Sequence, residues 1–436
     1  MNHILKFLAV TAMFLTAAGT AFCDTAQDYV NSGVDKDINQ NYDGAIADES
    51  KAIELNPNYT EAYLRRAQAE EDKGDHDRAI ADYTKYLELA STDNTSLSDR
   101  FYGYCSRGDA KKAKGDLDGA IADYTEAIGL EPNNTVAYCN RATLKKSKGD
   151  LAGAIADESK AIELDPTNAD DYYWRGGAET DKGDYNGAIA DFTQCLELDP
   201  NAGADANVNV YNSRGIAKDD KGDTDGAIAD YTEAIGLDPN NATLYVNRGI
   251  AEKNKGDLTA AIADYSKDIT LNPNDAGAYV TRGLLRYDTQ DFTNALADFR
   301  MLNSNDYVSF RIWLIRTRLG EADAATKELL AYLDSRTIGK PDDWPSQIGH
   351  FLAGQLAEPD FLAAAKNADP KTESGQLCEA YFYAGSKHLF AGDKTAARDL
   401  FTKCVATGQN DLDEYDSAAA ELKLLPAETP SPSPSK

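Results

Sequence analysis

Residues 137–166 read AYCNRATLKKSKGDLAGAIADESKAIELDP, and this stretch contains the signals for two packed helices. Tyr138 and Ala142 are four residues apart, which places them on one face of a first helix. Gly149 favours the left-handed conformation that ends a helix, and Asp150 is suited to cap the next one. Apolar residues then recur near the 3.6-residue period until a proline ends the second helix. The sequence therefore predicts a helix-turn-helix hairpin.

The same hairpin recurs along the chain. The tetrapeptide AIAD, or ALAD in the last case, begins at Ala45, Ala79, Ala120, Ala154, Ala188, Ala227, Ala261 and Ala295. Most of these positions are 34 residues apart, and insertions at 94–100 and 203–207 account for the two longer gaps. Both insertions are predicted to lengthen loops between hairpins. One hairpin cannot bury its apolar face alone, so we expect eight of them to stack around a continuous core.

This pattern resembles the tetratricopeptide repeat family in its small, aromatic and proline positions. In the quoted hairpin these positions are Tyr138, Ala142, Ala154, Ala161 and Pro166. The resemblance implies an all-α, right-handed α-solenoid of about eight regular hairpins with a concave binding face, followed by atypical helical hairpins. Glu49 and Glu158 depart from the aromatic residue found at their position in the other repeats. We expect the first and fourth hairpins to pack less tightly for that reason.

The chain is predicted to contain four regions. They are a signal peptide over 1–23, eight repeats over 24–302, an atypical helical region over 303–425 and a disordered Pro/Ser-rich tail over 426–436. The atypical region is predicted to end in a clear hairpin over 378–408. It resembles the C-terminal stretch of bacterial envelope tetratricopeptide lipoproteins that tether peptidoglycan hydrolases and proteases, which implies an exported protein of the cell envelope.

The N-terminus is typical of a secretory signal peptide. Lys6 precedes a short apolar run, and small residues follow as far as Ala21. We expect cleavage after Ala21 or after Cys23, with no membrane-spanning segment in the mature chain. Attachment of a lipid to Cys23 is an alternative, which the bulky Phe22 before it disfavours.

The remaining cysteines do not form an obvious disulfide framework, because five are left after Cys23. Cys105 and Cys139 occupy the same position of neighbouring repeats, too far apart for a bridge. Cys378 and Cys404 are predicted to face each other across the last hairpin, either as a disulfide or as small buried side chains.

Two columns of charged residues recur through the repeats. Arginines stand on the first helix at Arg66, Arg107, Arg141, Arg175, Arg214, Arg248 and Arg282. Aspartates stand on the second at Asp82, Asp123, Asp157, Asp191, Asp230, Asp264 and Asp298. Because a binding role would not require a copy in every repeat, we interpret them as a structural ladder of charge-assisted hydrogen bonds.

Helix geometry assigns to the inner face a set of first-helix residues, which we call the groove residues. They are Tyr102, Asp109, Lys112, Tyr173, Asn209, Asn212, Val246, Ile250, Lys253, Val280, Leu284 and Tyr287. Their character changes from polar and acidic to more apolar along the chain. This surface is suited to an extended or helical peptide of another protein.

Composition excludes several functions. The formal charge of -29, with 44 basic against 73 acidic residues, disfavours nucleic acid and favours partners with basic patches. No phosphate-binding loop, metal-ligand spacing or hydrolase motif is present. Cys378 and His388 are ten residues apart on one predicted helix, about 15 Å, too far for a nucleophile and its base. We therefore predict no catalytic residue, no cofactor and no metal.

The sequence thus favours a non-catalytic adaptor that binds other proteins. A structural spacer or self-assembling oligomer is the first alternative. The second is a catalytic or carrier role in residues 306–369, where Trp313, Trp344 and His350 are candidates to line a pocket.

Overall fold

The computed structural model describes residues 25–92, 95–200, 204–336 and 343–426, and all regular structure within these ranges is α-helical. The predicted signal peptide, the tail beyond residue 426 and parts of both insertions lie outside the described residues. The chain divides into two compact units, Met1–Asp184 and Tyr185–Lys436, called here the first unit and the second unit.

The helices follow one another as the repeat predicts. The first unit contains α1 (Ala26–Ile38), α2 (Tyr42–Leu55), α3 (Thr60–Asp72), α4 (His76–Ala90), α5 (Leu97–Lys114), α6 (Leu117–Leu130), α7 (Thr135–Ser147), α8 (Leu151–Leu164) and α9 (Ala169–Lys182). The second unit begins with α10 (Tyr185–Leu198), α11 (Ala204–Lys221), α12 (Thr224–Leu237), α13 (Ala242–Lys255), α14 (Leu258–Leu271), α15 (Ala276–Asp288) and α16 (Phe292–Phe299). Within each unit, the second helix of a hairpin packs on the first helix of the next, as expected for a stack.

The turn inside most of the hairpins has the expected glycine and aspartate. Gly149 adopts a left-handed φ of 82°, and the Asp150 side chain accepts a hydrogen bond from the backbone N–H of Gly153. The first hairpin lacks this glycine, and Gln40 takes the left-handed conformation there with a φ of 60°. Asn41 then caps α2 in place of the aspartate. The hairpin therefore forms in the first repeat without the usual turn residues.

Small residues allow the two helices of a hairpin to approach closely. A Cβ atom at Gly215 would lie 2.7 Å from the ring of Tyr231, which is itself fully packed between the helices. A larger residue at this position would displace the ring or separate the helices. The alternation of a small residue and a ring therefore fixes the distance between paired helices.

The two insertions do not simply lengthen loops, contrary to expectation. Helices α5 and α11 each have 18 residues, whereas α7 and α15 have 13. Ser96 caps α5, so most of the first insertion adds a helical turn to a first helix. The insertion was misjudged because its Ser and Asp residues suit a turn and a helix start equally well.

The C-terminal region forms further helices and a larger core. They are α17 (Asp306–Arg318), α18 (Ala322–Ser335), α19 (Trp344–Leu352), α20 (Glu358–Ala364), α21 (Pro370–Phe390), α22 (Lys394–Ala406) and α23 (Asp413–Leu424). The hairpin predicted over 378–408 is present, but its first helix begins eight residues earlier. Helix α23 was not predicted as a separate element, and it packs against α15, α21 and α22.

Cys378 and Cys404 face each other in this core, as predicted. Both thiols are buried and free, and their Sγ atoms are 3.3 Å apart. Of the two alternatives, the structure has the small buried side chains and no disulfide at this pair. Among the described helices, none combines the length and apolar character that a bilayer span requires.

Candidate peptide-binding groove

The arginine and aspartate columns form the predicted ladder in six hairpins. In each of these pairs the guanidinium donates two hydrogen bonds to one carboxylate: Arg66 to Asp82, Arg107 to Asp123, Arg141 to Asp157, Arg214 to Asp230, Arg248 to Asp264 and Arg282 to Asp298. Two parallel bonds fix the orientation as well as the distance of the partners. The ladder is therefore part of the scaffold that positions the first helices.

Each paired arginine also donates a hydrogen bond to the preceding hairpin. This contact was not predicted from the sequence. Arg248 donates to Asp264 at 2.7 Å from both Nε and Nη2, and its Nη1 donates to Thr232 Oγ1 at 3.1 Å. Its guanidinium also lies over the ring of Tyr245, three residues earlier. The sequence contains a signal for this contact, because a Ser or Thr recurs at the position of the preceding repeat that accepts the Nη1 hydrogen bond. One arginine thus links two helices of its own hairpin to the hairpin before it.

A second cation supports four of the six aspartates. Lys111, Lys145, Lys218 and Arg286 each stand twelve residues before the aspartate and pair with it at 2.6–2.8 Å. Glu70 and Glu252 occupy this position in the other two hairpins, beside Asp82 and Asp264. Those two aspartates therefore depend more strongly on their single arginine.

First helices also contact one another and form the inner wall. Helices α1 and α3, α7 and α9, and α11 and α13 are in contact. In the wall, the Asn247 amide donates to the side-chain oxygen of Asn212 at 2.8 Å. The predicted groove residues on α9, α11 and α13 therefore lie on first helices that contact a neighbouring first helix of the same unit.

The first unit presents an accessible part of this surface. Tyr102 is 50% exposed, Lys112 is exposed, and Tyr173 is half-buried. Trp174, which was not among the predicted groove residues, is 43% exposed and packs edge-on against Tyr173 with ring centroids 5.3 Å apart. Asp109 is less available, since it accepts a hydrogen bond from the hydroxyl of a buried tyrosine.

The second unit begins with a similar accessible surface. Asn209 and Ile250 are exposed, whereas Asn212 and Val246 are half-buried within the wall. Val246 packs against the core cluster of its hairpin. Only part of this stretch is therefore available to a partner.

The apolar end of the predicted groove is not open. Leu284 is buried and Tyr287 is only 2% exposed, because both belong to the C-terminal core. Lys253 pairs with Asp416 of α23 at 3.0 Å, and Val280 packs against the same core. The expectation of an accessible apolar groove was wrong here, since α23 returns to the inner face of α15.

A small cavity of about 210 Å³ remains beside this contact. It is lined on one side by Val280, Leu284 and Asp288, and on the other by Asp416 and Ser417 of α23. The chain therefore occupies this part of its own groove with a helix, in the manner of a helical ligand.

The two glutamates that replace an aromatic residue are deeply buried. Burial raises the pKa of Glu49 to about 8, although the nearby Arg65 acts in the opposite direction. Both carboxylate oxygens of Glu49 lack a hydrogen-bond partner, and one would collide with a Cβ atom at Gly33. For Glu158, burial first and Asp171 second raise the pKa to about 8.

Replacing Glu49 with glutamine is expected to remove a pH dependence of stability. The folded-state pKa is raised, so the carboxyl stays protonated when the unfolded chain has already ionised. The contribution of this carboxyl to the free energy of unfolding is complete below about pH 4.5, and it is lost as the pH rises towards 8. Glu49→Gln should therefore be more stable than the wild type at pH 8, by about 2 kcal/mol, with little difference at pH 5. Denaturant titrations at both pH values measure this.

Glu54→Gln, an exposed position on the same helix, is the matched control and should show no such difference. Equal effects of the two substitutions at pH 8 would contradict a buried, protonated Glu49.

The residues considered for catalysis are engaged elsewhere. The Trp313 indole lies in the core and donates to Thr326 Oγ1 at 3.1 Å, and the Trp344 ring stacks on Phe361. His350 contacts the Gln355 side chain at 2.7 Å, and His388 contacts Glu358 at 2.8 Å. None of these side chains lines the cavity that lies between Val280 and Asp416.

Four family sequence models match the repeats. A model described as TPR repeat matches residues 108–146 and 220–255, and three described as tetratricopeptide repeat match 39–94, 169–202, and 136–168 with 242–275. No curated protein sequence matches the chain.

Several solved structures are similar in part. The crystal structure of MamA is 27% identical and covers 41% of this chain and 94% of its own, with a TM-score of 0.37. A tetratricopeptide repeat protein from Parabacteroides merdae is 22% identical over 59% of this chain and 98% of its own, with a TM-score of 0.44. The C-terminal part of a tetratricopeptide repeat protein from Cytophaga hutchinsonii is 22% identical. It covers 57% of this chain and 97% of its own, with a TM-score of 0.49.

The matched ranges fall within the hairpins described above, and they contain both members of three Arg–Asp pairs, Arg66–Asp82, Arg141–Asp157 and Arg248–Asp264. Over residues 39–94, 108–168, 169–202 and 220–275 the chain is built of tetratricopeptide repeats.

Proposed function

We propose that the protein is a non-catalytic adaptor that holds a peptide segment of another protein on the inner face of its first unit. The observation that carries this proposal is the exposure of the Tyr102 and Trp174 rings on first helices, with the half-buried Tyr173 packed against Trp174. Exposed rings on a rigid wall offer large contact areas at low entropic cost, which is typical of binding hot spots.

The chemistry of the surface indicates the kind of segment. Apolar or aromatic side chains would pack on the rings, and the charge of -29 on the whole chain favours a segment with basic residues. Lys112 lies on the same helix as Tyr102, and the exposed Asp170 lies on the same helix as Trp174, so one charge of each sign is available for orienting the peptide. Contacts through a groove of this kind require neither a cofactor nor a catalytic group.

The apolar end of the groove has a different role in this proposal. Helix α23 covers Val280, Leu284 and Tyr287, so a partner would bind on the first unit while the last hairpins form a closed end. A closed end protects an apolar surface that would otherwise promote association between copies.

The proposal is tested by selecting peptides from a random display library against the purified chain and measuring their affinities by fluorescence anisotropy. Trp174→Ala and Tyr102→Ala should each weaken the selected peptides by about 10-fold or more. Leu237→Ala removes a similarly exposed apolar side chain from the second helix α12 and is the control. Selection of no peptide, or equal losses in all three variants, would overturn the proposal. Self-association would instead appear as a molar mass that rises with concentration.

We also propose that the protein acts outside the cytoplasm, in the cell envelope. The proposal is supported by residues 1–23, in which a lysine, an apolar run and small residues follow one another as in a secretory signal peptide. Mass spectrometry of the chain recovered from cells tests it. A mature chain starting after Ala21 or Cys23 is expected, a lipid on Cys23 would indicate an anchored form, and an unprocessed chain would contradict export.

A further inference from the structure

Three side chains that commonly bind metal ions meet inside the first unit. Cys139 lies on α7, Glu158 on α8 and Asp171 on α9, so three successive helices contribute one residue each. The Cys139 sulfur and one oxygen from each carboxylate all lie within 4.8 Å of one another. This cluster was not found from the sequence, because its spacing matches no linear metal motif.

The two carboxylates are buried and incompletely partnered. Glu158 and Asp171 are each 2% exposed, and Glu158 Oε2 and Asp171 Oδ2 have no hydrogen-bond partner. The other Asp171 oxygen is held, since it accepts from Cys139 Sγ at 3.3 Å and from Asn168 Nδ2 at 3.0 Å. Burying polar atoms without partners is costly. A cation between the two carboxylates would satisfy both.

The cluster arises from two departures from the repeat that coincide in space. Glu158 stands where most other hairpins have a buried Tyr or Phe. Asp171 stands at a first-helix position that is otherwise small or apolar and buried: Ala62, Gly103, Ala137, Val210, Leu244 and Ala278. Glu49 shares the first departure, but Val30 and Ala62 stand at the positions that Cys139 of the fourth hairpin and Asp171 of the fifth hairpin occupy beside Glu158. The first hairpin is therefore a natural comparison that lacks the cluster.

The substitution of a ring by a glutamate also provides space. In the preceding hairpin the Tyr124 ring fills the gap between the helices and reaches within 3.1 Å of the Cβ position of Gly108. A glutamate side chain has a smaller volume than tyrosine, and the exchange of glycine for Ala142 adds back only one methyl group. An ion needs this kind of room between paired helices.

We propose that Cys139, Glu158 and Asp171 bind one zinc ion, with a water molecule or a ligand from the groove side as a fourth donor. One sulfur with two carboxylates suits zinc, whereas calcium and magnesium prefer oxygen donors alone. Ligand atoms that bind one zinc ion at about 2.0–2.3 Å lie roughly 3.5 Å apart, so small side-chain rotations would close the cluster. Asn168 would orient Asp171 as an outer-shell partner.

Binding would exchange protons for the metal. The Cys139 S–H bond and the O–H bond of a protonated Glu158 carboxyl break, Zn–S and Zn–O bonds form, and the released protons pass to solvent, with no change of oxidation state. Cys139 is only half-buried, unlike the two carboxylates, which places the entry side of the ion at the inner wall.

The experiment is titration of the metal-free full chain with Co²⁺, which gives near-ultraviolet charge-transfer absorption when a thiolate binds it. We expect one Co²⁺ per chain with this absorption, displaced by one equivalent of Zn²⁺, and a melting temperature raised by Zn²⁺. Cys139→Ser should abolish the absorption, and Glu158→Gln and Asp171→Asn should weaken binding by about 10-fold or more. Circular dichroism verifies that the variants remain helical.

Two matched variants separate this site from other cysteines and buried acids. Cys105→Ser changes the equivalent position of the preceding hairpin, and Glu49→Gln changes the equivalent of Glu158, so both should leave binding unchanged. The proposal is overturned if no thiolate absorption forms, or if it persists in Cys139→Ser. It is also overturned if Glu158→Gln and Asp171→Asn stabilise the chain without affecting Co²⁺, since the carboxyls would then be a protonated pair.

Discussion

Replacing Arg311 with methionine is expected to lower the free energy of unfolding of the second unit by about 3–5 kcal/mol. Arg311 is fully buried at the centre of the C-terminal core, and Nη2 donates to Glu414 at 2.9 Å while Nη1 donates to Ser417 at 3.2 Å. Its guanidinium also lies over the rings of Tyr307 and Phe382. Methionine preserves much of the volume but leaves the Glu414 carboxylate buried without its cation.

The expected result includes a local change as well as a loss of stability. Glu414 and Ser417 both belong to α23, so weakening their contacts should release that helix from the inner wall. Hydrogen exchange should become faster in α23 and in the groove segment that contains Leu284, and denaturant titration measures the free energy. The double variant Arg311→Met with Glu414→Met removes both charges and should recover at least half of the loss. A double variant as unstable as the single one would contradict a charge-based explanation.

Replacing Arg248 with methionine is expected to destabilise the second unit by about 3 kcal/mol. Asp264 is buried, and position 252, where other hairpins have a second cation, is a buried glutamate in this hairpin. Burial and Asp264 raise the pKa of Glu252 to about 7, and Arg248 opposes this. Removing the arginine therefore leaves two carboxyls of like charge together. The loss should be smaller at pH 5, where protonation relieves the repulsion.

Arg214→Met is the matched control in the adjacent hairpin of the same unit. Asp230 keeps its pairing with Lys218 at 2.8 Å when the arginine is removed. The same substitution should therefore cost only about 1 kcal/mol. Equal losses at the two positions would contradict the idea that the lysine acts as a second support. Both values come from denaturant titrations at pH 7.5.

The repeated hairpin was predictable because each of its signals is local. The glycine turn, the aspartate cap and the alternation of ring and small residue act within one hairpin, and repetition makes every signal visible several times. The Arg and Asp columns were predictable for the same reason. The arginine and the aspartate of a pair are 16 residues apart in every aligned repeat, as Arg248 and Asp264 are. The hydroxyl acceptors were missed because they lie in the neighbouring hairpin.

The closed end of the groove was not predictable from these signals. Leu284 and Tyr287 have the position and character of groove residues, but both are buried in a core to which α23 returns from more than 120 residues away. Such a contact has no local signature, because the hydrophobic period of α23 is compatible with many surfaces. The Cys139, Glu158 and Asp171 cluster escaped notice for a related reason. Each residue is an unremarkable departure in its own repeat, and only stacking brings the three together.

We expect the first unit to offer an open surface to another protein, whereas in the second unit α23 covers the inner face of α15. The most direct measurement places a photo-crosslinking residue at position 174 or at position 284 of the intact chain in cells. We predict a crosslinked adduct with another protein from position 174, lost when a peptide selected on the purified chain is added in excess. Position 284 should give only a link within the chain, to α23. Adducts with other proteins from position 284 and none from position 174 would contradict the account.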